Sequence, residues 1–438
     1  MNPPPPASSP QSPAEELRTQ LPARGIAGKA LTLGSLYLAQ GLPFGFFTLA
    51  LPVMLRDAGY SLKAISVLSL LQLPWALKFL WAAWLDQRGT AKTWLLGLQL
   101  SSVIGAVLLM QVGLDKGYTP VLIAAFAFNL IAASQDVITD GLAVRTLDGH
   151  ERGLGNGLQV GAYRIGMMLG GGLLLRVFAH TNWATTFACM ALILALTIVP
   201  VMPLRAPRHV VGEAPTAAQL AIRWAQRLRA PGVLRFIGLI FCYRFGDQVI
   251  SSLFPPFLRD AGLGLQSIAL MKGEVGNATS LLGAVIGGWF VFNTSRRNAL
   301  LTSGLAQAAV FCLYIVAAFG IGGTTLLWAA TICEGIISTM ATVALFTLMM
   351  DASEMQHAGT DYTVFASAVV GVGALGSFAG GAIGDAFGYA TAFIVGTALA
   401  ALGCLALVWL LDRNPAPQKV AEVWRARHDG VTRDEVTT

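Results

Sequence analysis

A fourteen-residue pattern occurs twice in this chain, at a constant offset of 203 residues. Residues 52–65 read PVMLRDAGYSLKAI, residues 255–268 read PPFLRDAGLGLQSI, and eight of the fourteen aligned positions are identical. This repeat indicates that one half of the chain is a duplicate of the other. Each copy lies between long apolar segments, so the duplicated unit is a set of membrane helices. Two similar halves in a membrane are typical of a transporter whose site lies between them.

The composition also indicates a membrane protein. Only 12% of the 438 residues are charged, whereas a soluble domain carries about 25%. The five cysteines stand singly inside apolar segments and no GxxxxGK[ST] sequence occurs, so we expect no metal site, no cofactor and no ATP-driven step. The start, MNPPPPASSPQSPAEE, lacks the basic and apolar regions of a signal peptide. We therefore predict a disordered cytoplasmic tail over residues 1–27.

Windows of about 20 apolar residues predict twelve transmembrane helices. The predicted fold class is all-α and integral to the membrane, with two pseudo-symmetric six-helix bundles over residues 28–204 and 232–411. Residues 205–231 are predicted to form a cytoplasmic linker with an interfacial amphipathic helix, and residues 412–438 a cytoplasmic tail. The helices are predicted near residues 28–55, 63–85, 93–114, 119–146, 153–178, 184–204, 233–258, 266–292, 298–318, 323–350, 361–384 and 388–411.

The placement of Lys and Arg predicts the orientation of the chain. If both termini are cytoplasmic, 20 of the 29 basic residues fall in inner loops and tails, and four lie inside helices. Cytoplasmic loops of membrane proteins carry such an excess, so the net charge of +6 reports orientation and no nucleic-acid partner is expected. The outer loops hold five basic residues: Arg56, Lys63, Lys116, Arg176 and Arg259.

Ionisable residues inside the predicted helices are candidate site residues. Each costs at least about 2.5 kcal/mol in hydrocarbon unless it pairs or lines a wet space. Asp136 and Asp140 of helix 4 are four residues apart and share a face. Arg164 of helix 5 could reach Asp136, Lys78 of helix 2 is a second candidate cation, and Tyr163 belongs to the polar stripe of helix 5. A structural ion pair and a substrate or proton site are both open interpretations.

The second half contributes a matching set of candidates. Arg244 and Asp247 of helix 7 are three residues apart and could simply neutralise each other, and helix 8 carries Lys272 and Glu274. Glu334 of helix 10 has no opposite charge on its own helix. We therefore expect it to rest as a neutral acid that carries the coupled proton, with a partner from helix 7 or helix 11 as the alternative.

Candidate gating residues lie at a helix break and in a loop. Pro43, between Gly41 and Gly45, is predicted to kink helix 1. The loop after helix 2 reads AAWLDQRGTAK and places Asp86 and Arg88 at the predicted cytoplasmic end. Glycine-rich stretches of helices 5 and 11 are assigned to close packing against partner helices.

That loop resembles the pattern G-x-L-A-D-R-x-G-R-R/K of the major facilitator superfamily, although Ala82 replaces its first glycine. More specific stretches resemble the AmpG-like branch and its siderophore-permease relatives of the RhtX and FptX kind. The resemblance implies proton-coupled uptake across the inner membrane of a Gram-negative bacterium. The stretches are YLAQGLPFGFF (37–47), LPWALKFLWAAWLD (73–86), ASQDVITDGLAV (133–144) and ERGLGNGLQVGAYRIGMMLGGG (151–172).

Two solutes are consistent with this branch, because AmpG-type members import anhydromuropeptides and RhtX- and FptX-type members import siderophores. Typical AmpG chains are longer and tend to differ after the shared S-Q-D, where this chain reads TDGLAVR, so we expect a siderophore in preference to a muropeptide. A membrane enzyme, the rival class, would show a His or acid constellation at one face, but the five histidines are scattered. We expect a monomeric transporter with no enzymatic activity.

Overall fold

The computed structural model describes residues 25–59, 67–113, 117–204, 229, 232–414 and 417–425, and within these ranges the chain contains helices and no strand. The described helices group into twelve rods, as predicted, followed by a short thirteenth helix. Eight helical stretches of the described chain are long and apolar enough to cross a membrane, judged by length and composition. The all-α membrane fold class is therefore confirmed.

The first six rods are α1 (Ile26–Gly45, the π-helical Phe46–Ala50 and Leu51–Asp57), α2 (the 3-10 helix Val67–Gln72, Leu73–Leu77 and Phe79–Gln87), α3 (Ala91–Gln111), α4 (Tyr118–Thr146), α5 (Arg152–Met168, the π-helical Leu169–Leu173 and Leu174–His180) and α6 (Trp183–Ile198). Polar residues cap two of them. The Thr90 hydroxyl accepts a hydrogen bond from the N–H of Thr93 before α3, and the Asn182 side chain accepts one from the N–H of Thr185 before α6.

The remaining rods are α7 (Val233–Ser251 and Phe254–Asp260), α8 (Leu265–Ile268, the π-helical Ala269–Val275 and Gly276–Asn293), α9 (Arg296–Ala318), α10 (Gly323–Ala352), α11 and α12 (together Ala358–Arg413) and α13 (Gln418–Arg425). Gly388 separates α11 from α12 with a φ of 81°. Only glycine adopts this left-handed conformation readily, so the turn between the last two rods depends on that residue.

Irregular turns interrupt three helices near candidate residues. In α1, the π-helical turn starts three residues after Pro43, which lacks the N–H of a regular helix. In α2, Pro74 lies in the first turn of Leu73–Leu77, and Lys78 follows at the break before the next segment. In α8, Lys272 lies within the π-helical segment. Turns of this kind are frequent at functional sites, and here both candidate lysines lie at one.

Glycine faces bring helices of the two halves into close contact. Along α5 and α8, a Cβ atom on Gly157 would lie 2.9 Å from the Cα of Gly288. Where α4 meets α11, a Cβ atom on Gly141 would lie 2.9 Å from the Cα of Gly359. Because these approaches leave no room for a side chain, small residues determine how tightly the halves pack.

The predicted tails and linker lie mostly outside the described residues. That applies to residues 1–24, to the predicted interfacial helix of residues 205–231 except residue 229, and to residues 426–438. The C-terminal tail nevertheless contains α13, whose Val420 and Trp424 are buried, and the Trp424 indole N–H donates to Asp412 at 2.9 Å. The end of α12 therefore holds the first part of the tail in place.

Candidate functional site

A buried charge network lies inside the first half of the molecule, where Asp136 is 7% exposed and Asp140 is 1% exposed. Lys78 forms an ion pair with Asp136. The hydroxyl of Tyr37 donates to Asp140 at 3.0 Å, and the side-chain amide of Gln159 donates to it at 3.2 Å. We call these five residues the α4 carboxylate network.

Only one cation serves two carboxylates in this network. Among the described residues, Asp140 forms no ion pair, and its hydrogen-bond donors Tyr37 and Gln159 are neutral. If Asp136 and Asp140 were both ionised, a buried unit of negative charge would remain uncompensated, which is strongly unfavourable. The network thus contains one more acidic side chain than basic side chain.

Arg164 does not reach Asp136, although its sequence position allowed that contact. Its guanidinium donates instead to the side-chain carbonyl of Asn277 on α8 at 3.0 Å, and Glu334 is among the groups that influence it electrostatically. The break at Lys78 turns that lysine toward Asp136, whereas Arg164 faces the second half. Arg164 therefore belongs to a polar cluster between the two halves.

Glu334 is not alone, which corrects the expectation of an unpaired neutral acid. The ammonium group of Lys272 lies 2.9 Å from its carboxylate and 4.2 Å from the centre of the Phe254 ring. The partner comes from α8 and not from helix 7 or 11, because the π-helical turn of α8 directs Lys272 toward α10. The side chains of Lys272 and Glu334 are 23% and 16% exposed, so this pair is only partly buried.

The three other candidates of the second half behave differently. Arg244 and Asp247 neutralise each other at 2.8 Å, and the amide of Gln307 also donates to Asp247 at 2.8 Å. Glu274, by contrast, is exposed and forms no ion pair with a described residue. Lys272 and Glu334 thus form a pair within electrostatic range of Arg164. Asp247 has its own set of partners, and Glu274 stands apart from both groups.

A first lock joins the halves at the predicted cytoplasmic end. Asp86, in the last turn of α2, forms an ion pair with Arg145 of α4. The other oxygen of Asp86 accepts hydrogen bonds from the backbone N–H and the hydroxyl of Thr360 on α11, both at 3.1 Å. Arg88 does not take part, because its guanidinium lies over the Trp84 ring, 5.2 Å from the ring centre. Of the two loop candidates, only Asp86 connects the halves in this conformation.

In a second lock at the same end, the carboxylate comes from the second half of the chain. Asp351 of α10, whose side chain is fully buried, pairs with Arg152 of α5 and Arg296 of α9, each at 2.8 Å. Arg296 also donates to the carbonyl of Gly149 in the first half. Sequence reasoning missed these residues because Asp351 falls just beyond the predicted end of helix 10, where a charge looks solvated. An arginine at the start of α5 and another at the start of α9 were the available signal.

The described residues of this region do not form a metal site. Within the part of the chain that the structure describes, no group of three or more His, Cys, Asp or Glu side chains could hold a metal ion. The site is instead an arrangement of buried ion pairs, hydrogen-bonded carboxylates and locks across one end of a two-part helical bundle. Such an arrangement defines a secondary membrane transporter, in which two halves rearrange around a central site.

The comparison with protein families agrees with this class. The model of the Major Facilitator Superfamily matches residues 33–376. The chain belongs to the major facilitator superfamily, as an AmpG-like member. It is a multi-pass membrane transporter and not an enzyme.

Relatives and solved structures extend the likeness along most of the chain. An uncharacterized protein of Haemophilus influenzae is 30% identical over 405 residues, which cover 87% of this chain and 94% of that protein. The anhydromuropeptide permease of Escherichia coli K12 is 27% identical over 384 residues, covering 84% of this chain and 77% of the permease. The crystal structure of the major facilitator superfamily transporter FucP superposes with a TM-score of 0.68 at 15% identity, covering 90% of this chain and 99% of FucP.

Proposed function

We propose that this protein imports an anhydromuropeptide across the bacterial inner membrane by proton symport, with both termini in the cytoplasm. The observation that carries the proposal is the 27% identity to an anhydromuropeptide permease over 84% of the chain. Sequence motifs alone favoured a siderophore, but the relatives favour the alternative. The protein is proposed to act as a monomer.

The proposed solute site lies between the halves, around Arg164, Lys272 and Glu334. Arg164 bridges to α8 through Asn277 at 3.0 Å, and the Lys272–Glu334 pair is partly exposed. A solute carboxylate can displace Glu334 from Lys272 or add to Arg164, because guanidinium and ammonium groups form strong charge-assisted hydrogen bonds with carboxylates. The peptide part of an anhydromuropeptide carries such groups.

The proposed proton carrier is Asp140 and no longer Glu334. Glu334 has a lysine partner at 2.9 Å, and Asp136 and Asp247 also pair with cations. Asp140 has only neutral donors among the described residues. Tyr362 of α11 lies near Asp140, so a movement of the second half changes the surroundings of this carboxylate and with them its proton affinity.

Alternating access is proposed to proceed through the two locks. The halves, residues 28–204 and 232–411, would separate at the predicted cytoplasmic end when Asp86 leaves Thr360 and Asp351 leaves Arg152. Both contacts are formed here, which supports a state closed to the cytoplasm. The irregular turns at Pro43 and Lys78 supply points at which α1 and α2 can bend.

The solute is tested by uptake into cells that lack their own muropeptide and siderophore permeases. The parent protein should accumulate labelled anhydromuropeptide and not an iron-loaded siderophore. A variant with the partly exposed cations removed, Arg164→Gln with Lys272→Gln, serves as the matched control and should lose uptake at unchanged expression. Uptake of the siderophore alone would contradict the proposal.

Proton coupling is tested in liposomes that contain the purified protein. Asp140→Asn should retain solute exchange but lose accumulation driven by a proton gradient, because the asparagine cannot release a proton. Glu334→Gln is the comparison variant and should still accumulate solute, at a higher KM. If Glu334→Gln alone shows exchange without accumulation, the proton carrier is Glu334; if a protonophore does not affect the parent, the coupling is not to protons.

A further inference from the structure

Three aromatic side chains of the first half form a cluster beside the α4 carboxylate network. Phe44 of α1, Trp75 of α2 and Tyr163 of α5 are in mutual contact, with ring centres 5.7 to 6.2 Å apart. Each ring is partly exposed. We call these three residues the aromatic triad.

The triad covers the α4 carboxylate network on its predicted extracellular side. Phe44 lies one turn after Gln40, whose amide donates to Thr139 of α4. Trp75 lies one turn before Lys78, and Tyr163 one turn after Gln159. α2 runs antiparallel to α1 and α5. Each of the three rings is therefore displaced from its polar neighbour toward the same end of the bundle. The rings thus stand between the buried carboxylates and the predicted extracellular side.

Trp75 lies on a different face of α2 from the exposed apolar stripe of that helix. On α2 the exposed apolar residues form a separate stripe that includes Leu73, Leu77 and Leu80. Trp75 lies on the other face, with the buried residues Leu71 and Lys78. Rings that only filled the core of the half would be fully enclosed, whereas these remain accessible beside Arg164.

Polar contacts hold Trp75 in place. Its indole N–H donates to the side-chain carbonyl of the buried Asn129 on α4 at 3.3 Å, and the ammonium group of Lys78 lies 5.6 Å from the ring centre. A large ring that is oriented from two sides and still accessible is suited to stacking against a ligand.

We propose that Phe44, Trp75 and Tyr163 form a subsite that stacks against the saccharide ring of the solute, next to the cations Arg164 and Lys272 that take its carboxylates. This inference rests on the proposed function, in which the solute joins a sugar to a peptide. The C–H groups on one face of a pyranose ring carry partial positive charge and pack against the negative face of an aromatic ring. Tyr163 and Arg164 leave the same turn of α5 and interact electrostatically, which places the two subsites next to each other.

The test measures direct binding to the full-length protein in lipid nanodiscs by calorimetry. The probes are the sugar part of an anhydromuropeptide without its peptide, and the peptide without its sugar. Trp75→Leu, which keeps apolar bulk but has no π face, should weaken binding of the sugar roughly tenfold and leave the peptide unchanged. Trp75→Phe should stay within about threefold of the parent.

The matched control is Trp289→Leu, because Trp289 on α8 is 61% exposed on the outer face of its helix and should bind both probes like the parent. The proposal is overturned if the parent does not bind the sugar, if Trp75→Leu binds it as the parent does, or if this variant loses both probes equally, which would reveal a structural role. A parent that binds the sugar but does not transport anhydromuropeptide would refute the proposed function and leave the subsite standing.

Discussion

The two halves each contain a lysine paired with a carboxylate across equivalent helices, α2 with α4 and α8 with α10. The side chains of Lys78 and Asp136 are 4% and 10% exposed, whereas those of Lys272 and Glu334 are 23% and 16% exposed. The first pair also lies beside a second carboxylate, Asp140, at the centre of a hydrogen-bonded network. The two pairs are thus built alike but differ in exposure, in line with the roles proposed above: a proton at Asp140 beside the first pair, and a solute at the second.

The largest difference is expected in stability. Lys78→Met would leave two carboxylates of the network without a cation, and breaking a buried pair costs about 3 to 5 kcal/mol. Lys272→Met should cost below about 1 kcal/mol, because its pair is partly exposed. Thermal unfolding of the purified variants, followed by fluorescence, measures both. Equal losses of melting temperature would mean that the two pairs do not differ in the way their burial indicates.

Transport should separate the pairs in a second way. Lys272→Gln is expected to raise KM about tenfold, a loss of about 1.4 kcal/mol of binding, and to change kcat little, because it contacts the solute in the proposed site. Asp136→Asn should instead abolish uptake at nearly normal expression, because Lys78 then lacks its charge partner and the protonation of the network changes. Initial rates in membrane vesicles give both constants, and a kcat effect confined to Lys272→Gln would reverse the assignment.

A third lysine–carboxylate pair, at the beginning of α1, provides a reference. Lys29 at the start of α1 lies 2.7 Å from Glu151, which also accepts the backbone N–H of Asp148 at 3.1 Å. Partial burial acts to raise the pKa of Glu151, but the hydrogen bonds from Lys29 and Asp148 outweigh it, and the pKa lies below its ordinary value. The pair therefore stabilises the fold at neutral pH.

The smallest effect is expected for Glu151→Gln. A lowered pKa means that the folded state favours the ionised form, so the stabilisation is complete above the ordinary pKa of about 4.3 and disappears as the pH falls through the lowered value. At neutral pH the variant should lose at most about 1 kcal/mol. Melting temperatures of variant and parent should differ at pH 7 and converge below about pH 4.3. A difference that grows in acid would contradict the sign of the shift.

Much of the fold was predictable because membrane helices have a strong local signal. The run of apolar residues from Arg296 to Ala318 was predicted within two residues of its observed ends, since a span must contain enough apolar length to cross the bilayer. Helix 6 was predicted through residue 204, but its regular part ends at Ile198 and turns follow. Apolar residues continue beyond Ile198, and the length of an apolar run does not reveal where the regular helix ends.

The partners of the charged residues were less predictable. The shared face of Asp136 and Asp140 follows from the period of one helix, and so does the pair of Arg244 with Asp247. The choice of Lys78 over Arg164 for Asp136, and of Lys272 for Glu334, required the packing of several helices and the irregular turns of α2 and α8. The lock at Asp351 was missed for the same reason.

The amino-acid sequence alone determined the membrane class, the number of helices and the identity of the few charges that hydrocarbon would not tolerate. These properties depend on composition and on periodicity within single segments. The tertiary structure decided which charges meet, which are accessible, and which end of the bundle is locked. Such contacts join residues that are far apart in the chain. They also depend on local detail, because a turn that shifts by one residue moves a side chain to another face of its helix and gives it a different neighbour.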